Sequence, residues 1–311
     1  MTERLAALDV GTNSTRLLVA DVDGGEIVAE HAREMVITRL GKGVDRSGRF
    51  DPAALARTLE VLAGYAETCR RLGVARRRLV ATSATRDAAD RQAFLDGVRD
   101  LLGVEAEVLT GKAEAAAAYR GATATLGGDQ ATLVVDIGGG STELILGHGG
   151  RARAIVSLDI GCVRLFERHL HHDPPAGAEV AALRADVAAH LAGVAGVLDP
   201  AAAERVVGVA GTVTTVTAIA LGLDRYDPAR IHRATLDAAE IAATAGKLAA
   251  MTVAERAALP VMAPGREDVI AAGALLLDEL VARFQIRQVT ASETDILDGV
   301  LLGLADGPHG G

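Results

Sequence analysis

The sequence predicts an α/β protein of two domains, each a mixed β-sheet flanked by helices, and three observations carry that expectation. The first is length: 311 residues exceed the usual single-domain size and point to two domains of about 150 residues each. The second is composition. Half of the residues are hydrophobic, with four Phe, three Tyr and no Trp, so both cores must be built from Ala, Val, Leu and Ile. The third is an internal repeat: Asp9-Val-Gly-Thr-Asn-Ser-Thr15 and Asp136-Ile-Gly-Gly-Gly-Ser-Thr142 stand 127 residues apart. Each lies between two short apolar runs (5–8 and 17–20; 132–135 and 144–146), then meets a turn signal (23–25; 147–150) and a third run (27–29; 154–158). The unit reads as strand, Gly/Ser/Thr loop, strand, turn, strand, and it occurs twice. Gly127-Gly128-Asp129 is the clearest linker. The expected domains are residues 1–125 and 126–311, with the last helix able to pack back on the first domain.

The elements follow in order. After the first unit come a run at 35–40 and a charged Gly-rich loop at 41–48. Asp51-Pro52 starts a helix, with Asp as N-cap and Pro in the first turn. Its buried stripe is Leu55, Leu59, Leu62 and Ala66, ending near Leu72. Arg76, Arg77 and Arg78 read as a solvated corner before a strand at 79–82. Residues 83–87 read as a loop and cap opening a helix to about Leu102. A strand at 105–109 precedes a helix at 112–126. In the second half a helical region covers about 161–197, interrupted near His169-Leu-His-His-Asp-Pro-Pro175. Those histidines lack the i, i+4 pairing of a helical zinc site and read as a surface loop. A strand at 205–210 ends in a third small-residue loop, Gly211-Thr-Val-Thr-Thr215. Helices fill most of the remainder: 265–268 cap a helix at 269–280, and after a strand at 287–291, 292–295 cap a helix ending near Leu304. The tail 306–311 is expected to be disordered.

Charge and cysteine content exclude several classes. A net charge of −9 argues against broad binding to nucleic acid or an anionic membrane. Only three Lys occur against 29 Arg, and Asn13 is the single Asn, a coding bias that lowers the weight of any one Arg and raises that of Asn13. Cys69 and Cys162 are too few for a disulfide scaffold and read as reduced, buried thiols. No signal-peptide core and no long apolar span is seen, which points to the cytoplasm.

The repeated loops suit phosphate. Glycine lets the backbone approach a ligand and aim successive N–H groups at its oxygens, and Ser and Thr add hydroxyl donors. The candidate phosphate-binding residues are Gly11, Thr12, Asn13 and Ser14 in the first loop, Gly138, Gly139, Gly140 and Ser141 in the second, and Gly211 and Thr212 in the third. An acid at the strand end, Asp9 or Asp136, cannot bind phosphate but can hold a divalent cation or a water. Glu143 lies seven residues after Asp136 on the outgoing strand, and Arg16 holds the equivalent place in the first copy. One half could thus hold metal and water through Asp136 and Glu143 while the other grips phosphate oxygens through Arg16. No Gly-Lys-Ser/Thr closes either loop, so neither is a Walker A motif, and a strand instead of a helix follows each, so neither is a dinucleotide fingerprint. Two phosphate loops at hairpin tips, facing a common cleft, describe the actin-like (ribonuclease H-like) architecture. Glu114, a lone acid in the first turn of a helix, is by itself only a dipole-complementing residue.

At this point the chain resembles the exopolyphosphatase / guanosine pentaphosphate phosphatase (Ppx/GppA) family of the actin-like ATPase superfamily. The resemblance covers nearly the whole chain, through 8–17, 81–87, 109–115, 135–143, 209–214, 264–270 and 292–299. It implies that Glu114 is the base that activates water, that Asp136 and Glu143 are the acids near Mg²⁺ (or Mn²⁺) and the water, and that Arg86 grips the phosphate chain. The family's frequent Glu-Glu pair is Ala113-Glu114 here, which leaves one carboxylate for the role. The chain resembles the short two-domain form, for which inorganic polyphosphate, particularly short chains, is the expected substrate and a homodimer the expected assembly. Guanosine pentaphosphate is the alternative substrate. A sugar or carboxylate kinase, or a non-catalytic filament-forming relative, fits less well.

Overall fold

The structure, a computed structural model, describes residues 2–307. The first duplicated segment folds as β1 (Glu3–Val10), β2 (Ser14–Asp23) and β3 (Glu26–Ile37), followed by α1 (Val44–Ser47), α2 (Pro52–Arg71), β4 (Arg76–Ala81), α3 (Ser83–Asp87), α4 (Gln92–Leu102), β5 (Ala106–Val108) and α5 (Gly111–Thr123). The second copy gives β6 (Thr132–Ile137), β7 (Thr142–His148) and β8 (Arg151–Leu158), then α6 (Cys162–His169), α7 (Gly177–Leu191) and β9 (Arg205–Val209). There follow α8 (Ala210–Ala220), α9 (Pro228–Ile231), β10 (Thr235–Asp237), α10 (Ala238–Ala250), α11 (Val253–Ala257), α12 (Ile270–Arg283), β11 (Gln288–Ala291) and α13 (Ile296–Ala305).

Two compact units result: residues to Ala124 with the described residues from Asp295 on, and Thr125–Thr294. The first unit holds a five-stranded sheet in the order β3-β2-β1-β4-β5, and the second a six-stranded sheet in the order β10-β11-β9-β6-β7-β8. In both, the hairpin strands pair antiparallel and the next two strands join parallel. The repeat seen in sequence is therefore a repeat of topology, the mixed order of two actin-like domains.

Strand alternation sorts the first sheet's two faces. Ala6, Leu8 and Val10 of β1, with Leu17 and Val19 of β2, join Leu62 of α2 and Phe94 and Val98 of α4 in one core. Leu5 and Ala7, with Leu18 and Ala20, face Ala118 of α5 and Ile296, Leu297 and Val300 of α13 in another. By the same alternation Asp9 and Arg16 belong to the α5/α13 face, which decides what they meet. In the second unit Leu133, Val135, Ile137 and Leu144 enter the main core with α7, α10 and α12, which turns Asp136 and Glu143 to the opposite face.

Several expectations are corrected. The third run of the first unit is the start of one twelve-residue strand that continues through Ile37. The buried face of α2 is Ala54, Thr58, Leu62, Tyr65, Ala66 and Cys69, with Leu55 and Leu59 half-buried beside it. Arg76, Arg77 and Arg78 lie inside β4, not before it, and two of them find acids on the neighbouring strands of the same sheet: Arg76 pairs with Glu3 of β1 and Arg78 with Glu107 of β5. Residues 83–87 form a short helix of their own. The third loop is absent, since α8 begins directly at Ala210, with Ala210 in the left-handed region at φ 66°. The three-residue β10 has no sequence counterpart in the reading above. Both cysteines are free and buried, and His169 and His172 pair with Asp186 and Glu179. The disorder expected at 306–311 falls for residues 308–311 outside the described chain, while Asp306 pairs with Arg120 at 2.6 Å. No helix among the described residues is long and apolar enough to cross a membrane.

Candidate active site

The two loops share one geometry. Gly11 N–H donates to Ser14 O at 2.9 Å, and Gly138 N–H donates to Ser141 O at 3.0 Å. In the first loop the carbonyls of Thr12 and Asn13 accept from Gly41 N–H at 2.8 Å and Arg39 N–H at 2.9 Å. In the second, Gly138 O accepts from Cys162 N–H at 3.0 Å, and Gly139 O from Val163 and Arg164 N–H at 2.9 and 3.2 Å. Arg164 Nε adds a bond to Gly140 O at 2.9 Å. A trans peptide points its C=O and the following N–H in opposite directions. Carbonyls held back in this way turn the N–H groups of Asn13 and Ser14, and of Gly139, Gly140 and Ser141, to the other side. That is the arrangement of an anion-binding nest. It depends on Gly161, where an added Cβ would stand 2.5 Å from Gly139 O and 2.7 Å from Gly138 O. Neither Gly161 nor Arg164 was singled out in sequence; a Gly heading a helix just after the third strand is the signal that was there to use.

The two copies differ in what faces the nest. Register places Asp9 opposite Arg16 and Asp136 opposite Glu143, the same cross-strand position in each hairpin. In the first unit Arg16 donates Nε and Nη2 to Asp9 Oδ2 at 3.0 and 2.7 Å, and its Nη1 donates to Asp295 Oδ2. Burial opposes the Arg16 charge, but the two acids more than restore it and hold the guanidinium protonated. Burial likewise raises Asp9, with Arg16 pulling the other way. Asp9 Oδ1 and Asn13 Oδ1 are buried with no hydrogen-bond partner among the described residues.

Glu114 sits at the head of α5, whose N-cap Thr110 accepts from Ala113 N–H. Only 8% of the residue is exposed, and Oε2 accepts from Arg86 Nη1 at 2.5 Å. Arg86, on α3, also donates to Leu109 O at 2.9 Å, which ties it to the end of β5. Burial pushes the Glu114 carboxyl up to about 7, against the opposing pull of Arg86. The first unit thus brings together Asp9, Arg16, Arg86 and Glu114.

In the second unit Asp136 and Glu143 are both buried, and Glu143 Oε1 accepts from Ser157 Oγ at 2.8 Å. Because β9 runs parallel to β6 with Val209 beside Asp136, the N-terminus of α8 opens next to this loop. Gly211 and Thr212 therefore sit at a helix N-terminus instead of in a loop. Arg266 donates to Gly211 O at 3.2 Å and to Thr215 Oγ1 at 2.7 Å. Among the described residues no group of three or more His, Cys, Asp or Glu is placed to hold a metal ion. Two opposed carboxylates still suit Mg²⁺, which keeps several waters and needs only one or two carboxylates beside substrate phosphates.

Comparison with known proteins shows the family. Residues 18–307 match the model of the Ppx/GppA phosphatase family. The chain is 46% identical over 316 aligned positions to Exopolyphosphatase 2 of Mycobacterium tuberculosis, covering 97% of this chain and 98% of that protein. A crystal structure of an exopolyphosphatase-like protein superposes with a TM-score of 0.93 at 36% identity, covering 97% of each chain. The Ppx/GppA family member of Aquifex aeolicus superposes with a TM-score of 0.83 at 30% identity, covering 99% of this chain and all of that one. With its match to the family model and to a relative along almost the full length, the chain belongs to the Ppx/GppA phosphatase family.

Proposed function

We propose that the chain is an exopolyphosphatase, a phosphoanhydride hydrolase that releases terminal orthophosphate from inorganic polyphosphate, short chains in particular. The observation that carries the chemistry is Glu114, a buried carboxyl raised to about 7 and so able to accept a proton near neutral pH. The full-length likeness to Exopolyphosphatase 2 supports the substrate class. Glu114 takes a proton from the water that attacks the terminal phosphorus in line; the bond to the bridging oxygen breaks, and the shortened chain leaves. As the proton arrives, Glu114 loses its hold on Arg86, which is freed to bind a phosphate oxygen. The N–H groups of Asn13 and Ser14, and of Gly139, Gly140 and Ser141, hold further phosphate oxygens, with Gly11, Thr12 and Gly138 shaping the turns. Gly211 and Thr212 add the positive end of α8.

Asp136 and Glu143 would hold Mg²⁺, or Mn²⁺, since opposed like charges on an antiparallel pair repel until a cation lies between them. When bound, the ion would neutralise charge on the phosphate chain and in the transition state. At a net charge of −9 the protein offers a polyanion little general attraction, so such local charge matters. We place the enzyme in the cytoplasm, as a homodimer. Glu114→Gln should lower turnover on polyphosphate by about 10²–10⁴-fold while leaving polyphosphate binding in place. Near-normal phosphate release by that variant would contradict the role given to Glu114.

A further inference from the structure

The last helix supplies the first loop with a residue that the duplicated segment does not contain. Asp295 is the N-cap of α13: its Oδ1 accepts from Leu297 N–H at 3.0 Å, and its Oδ2 receives Nη1 of Arg16. Its own N–H donates to Asp298 Oδ2 at 3.0 Å. Asp298 is in turn held by Nη1 and Nη2 of Arg33 on β3, at 3.2 and 2.7 Å. The Asp295 carbonyl presses on α5 at Gly121, where an added Cβ would stand 1.7 Å from it. The contact is reciprocal, since a Cβ at Gly299 of α13 would stand 1.9 Å from Ala117 O of α5. Gly121 follows Glu114 by seven residues, about two turns of the same helix. One residue thus has its backbone wedged on the helix of the proposed base and its side chain fastened to the guanidinium of the phosphate hairpin.

We infer that Asp295 is a positioning residue for the hydrolysis: it fixes the Arg16–Asp9 pair of the first loop against α5 and so sets where Glu114 stands. The inference rests on Glu114 acting as the base. The guanidinium is a planar fork. One edge of it lies on Asp9, and its third donor is left without a charged partner if Asp295 is removed. Arg16 is then free to turn, and the hairpin loses the side-chain tie to the head of α13 that runs through this pair. A displacement of about 1 Å in a site of this kind can cost roughly 10²-fold in rate.

Asp295 could instead be a helix cap and nothing more, and one substitution separates the two roles. Asn caps a helix about as well as Asp but carries no charge with which to hold Arg16. The test measures kcat and KM on short polyphosphate with Mg²⁺ for wild type, Asp295→Asn, Arg16→Lys and the double variant, at a temperature well below each unfolding midpoint. Asp295→Asn should lower kcat about tenfold or more with KM changed by less than about threefold. Arg16→Lys keeps the charge, loses the fork and should do the same. The double variant should fall no further than the worse of the two, because both remove one link. Turnover of Asp295→Asn within about twofold of wild type, additive losses, or a rise in KM with kcat intact would each overturn the positioning role. Glu114→Gln, run alongside, keeps the two ideas apart. If it retains turnover, the base assignment fails; if it loses turnover while Asp295→Asn works normally, only the positioning role fails.

Discussion

At Glu114 burial and a guanidinium pull in opposite directions, and burial wins, leaving the carboxyl near 7. If it is the base, turnover on polyphosphate should fall as the pH drops below about 7, where the carboxyl takes up its proton before water can deliver one. An acid limb lying instead near the ordinary glutamate range would contradict the assignment. The same shift acts on stability. The folded-state value lies above the ordinary 4.5, so the stabilisation from a protonated, buried carboxyl is complete below about 4.5 and is lost as the pH rises through about 7. Glu114→Gln, neutral throughout, should therefore gain on wild type in free energy of unfolding between about pH 5 and pH 8, by on the order of a few kcal/mol at most. A difference that stays constant across that range would argue against a raised carboxyl. The sequence makes Glu114 visible as a lone acid in an alanine-rich turn. It does not show the Asp9–Arg16 pair: Arg16 reads there as a grip on phosphate oxygens, and the structure gives its guanidinium to Asp9 and Asp295 instead. The second partner of Arg16 is 279 residues away, and no local pattern points to it.

At the scale of elements, the hairpin loops are positioned by what grips their carbonyls. Gly161 and the first turn of α6 do this for the second loop, and Gly161→Ala would drive a methyl group to within 2.5 Å of Gly139 O. The loop must move, because the neighbour is backbone and cannot rotate aside. We expect a stability loss of about 1–3 kcal/mol and a larger loss of turnover than of folding, with phosphate N–H groups misaimed. Chemical denaturation beside steady-state assay measures both, and wild-type values in both would rule out this account of the loop. The misread elements have physical reasons. Three arginines look like a solvated corner, yet β4 carries them because long side chains reach acids on the two flanking strands, Glu3 of β1 and Glu107 of β5. The Gly-Thr-Val-Thr-Thr run looks like a loop because its residues are weak helix formers, yet α8 buries Thr212, Val213, Thr214, Thr215 and Val216, and packing overrides propensity. A three-residue strand such as β10 is too short to leave a period.

At the scale of the molecule, duplication of one strand order explains why two like hairpin loops exist, and divergence at one cross-strand position explains why they differ. An acid faces a guanidinium in the first unit, and two acids face each other in the second. That contrast was legible from sequence, as was the fold class, because strand, loop, strand is written out twice. The return of α13 to the first sheet was open in sequence and is set by Ile296, Leu297, Val300 and Leu301 packing against Leu5, Ala7 and Leu18. Substrate class lies at this scale too, because no single side chain reads phosphate chain length. The most direct measurement is orthophosphate release from short polyphosphate, long polyphosphate, guanosine pentaphosphate and ATP, each with Mg²⁺ and with chelator. The account predicts release from polyphosphate, fastest for short chains, and its loss with chelator. Release from guanosine pentaphosphate or ATP alone, or from polyphosphate undiminished by chelator, would contradict it.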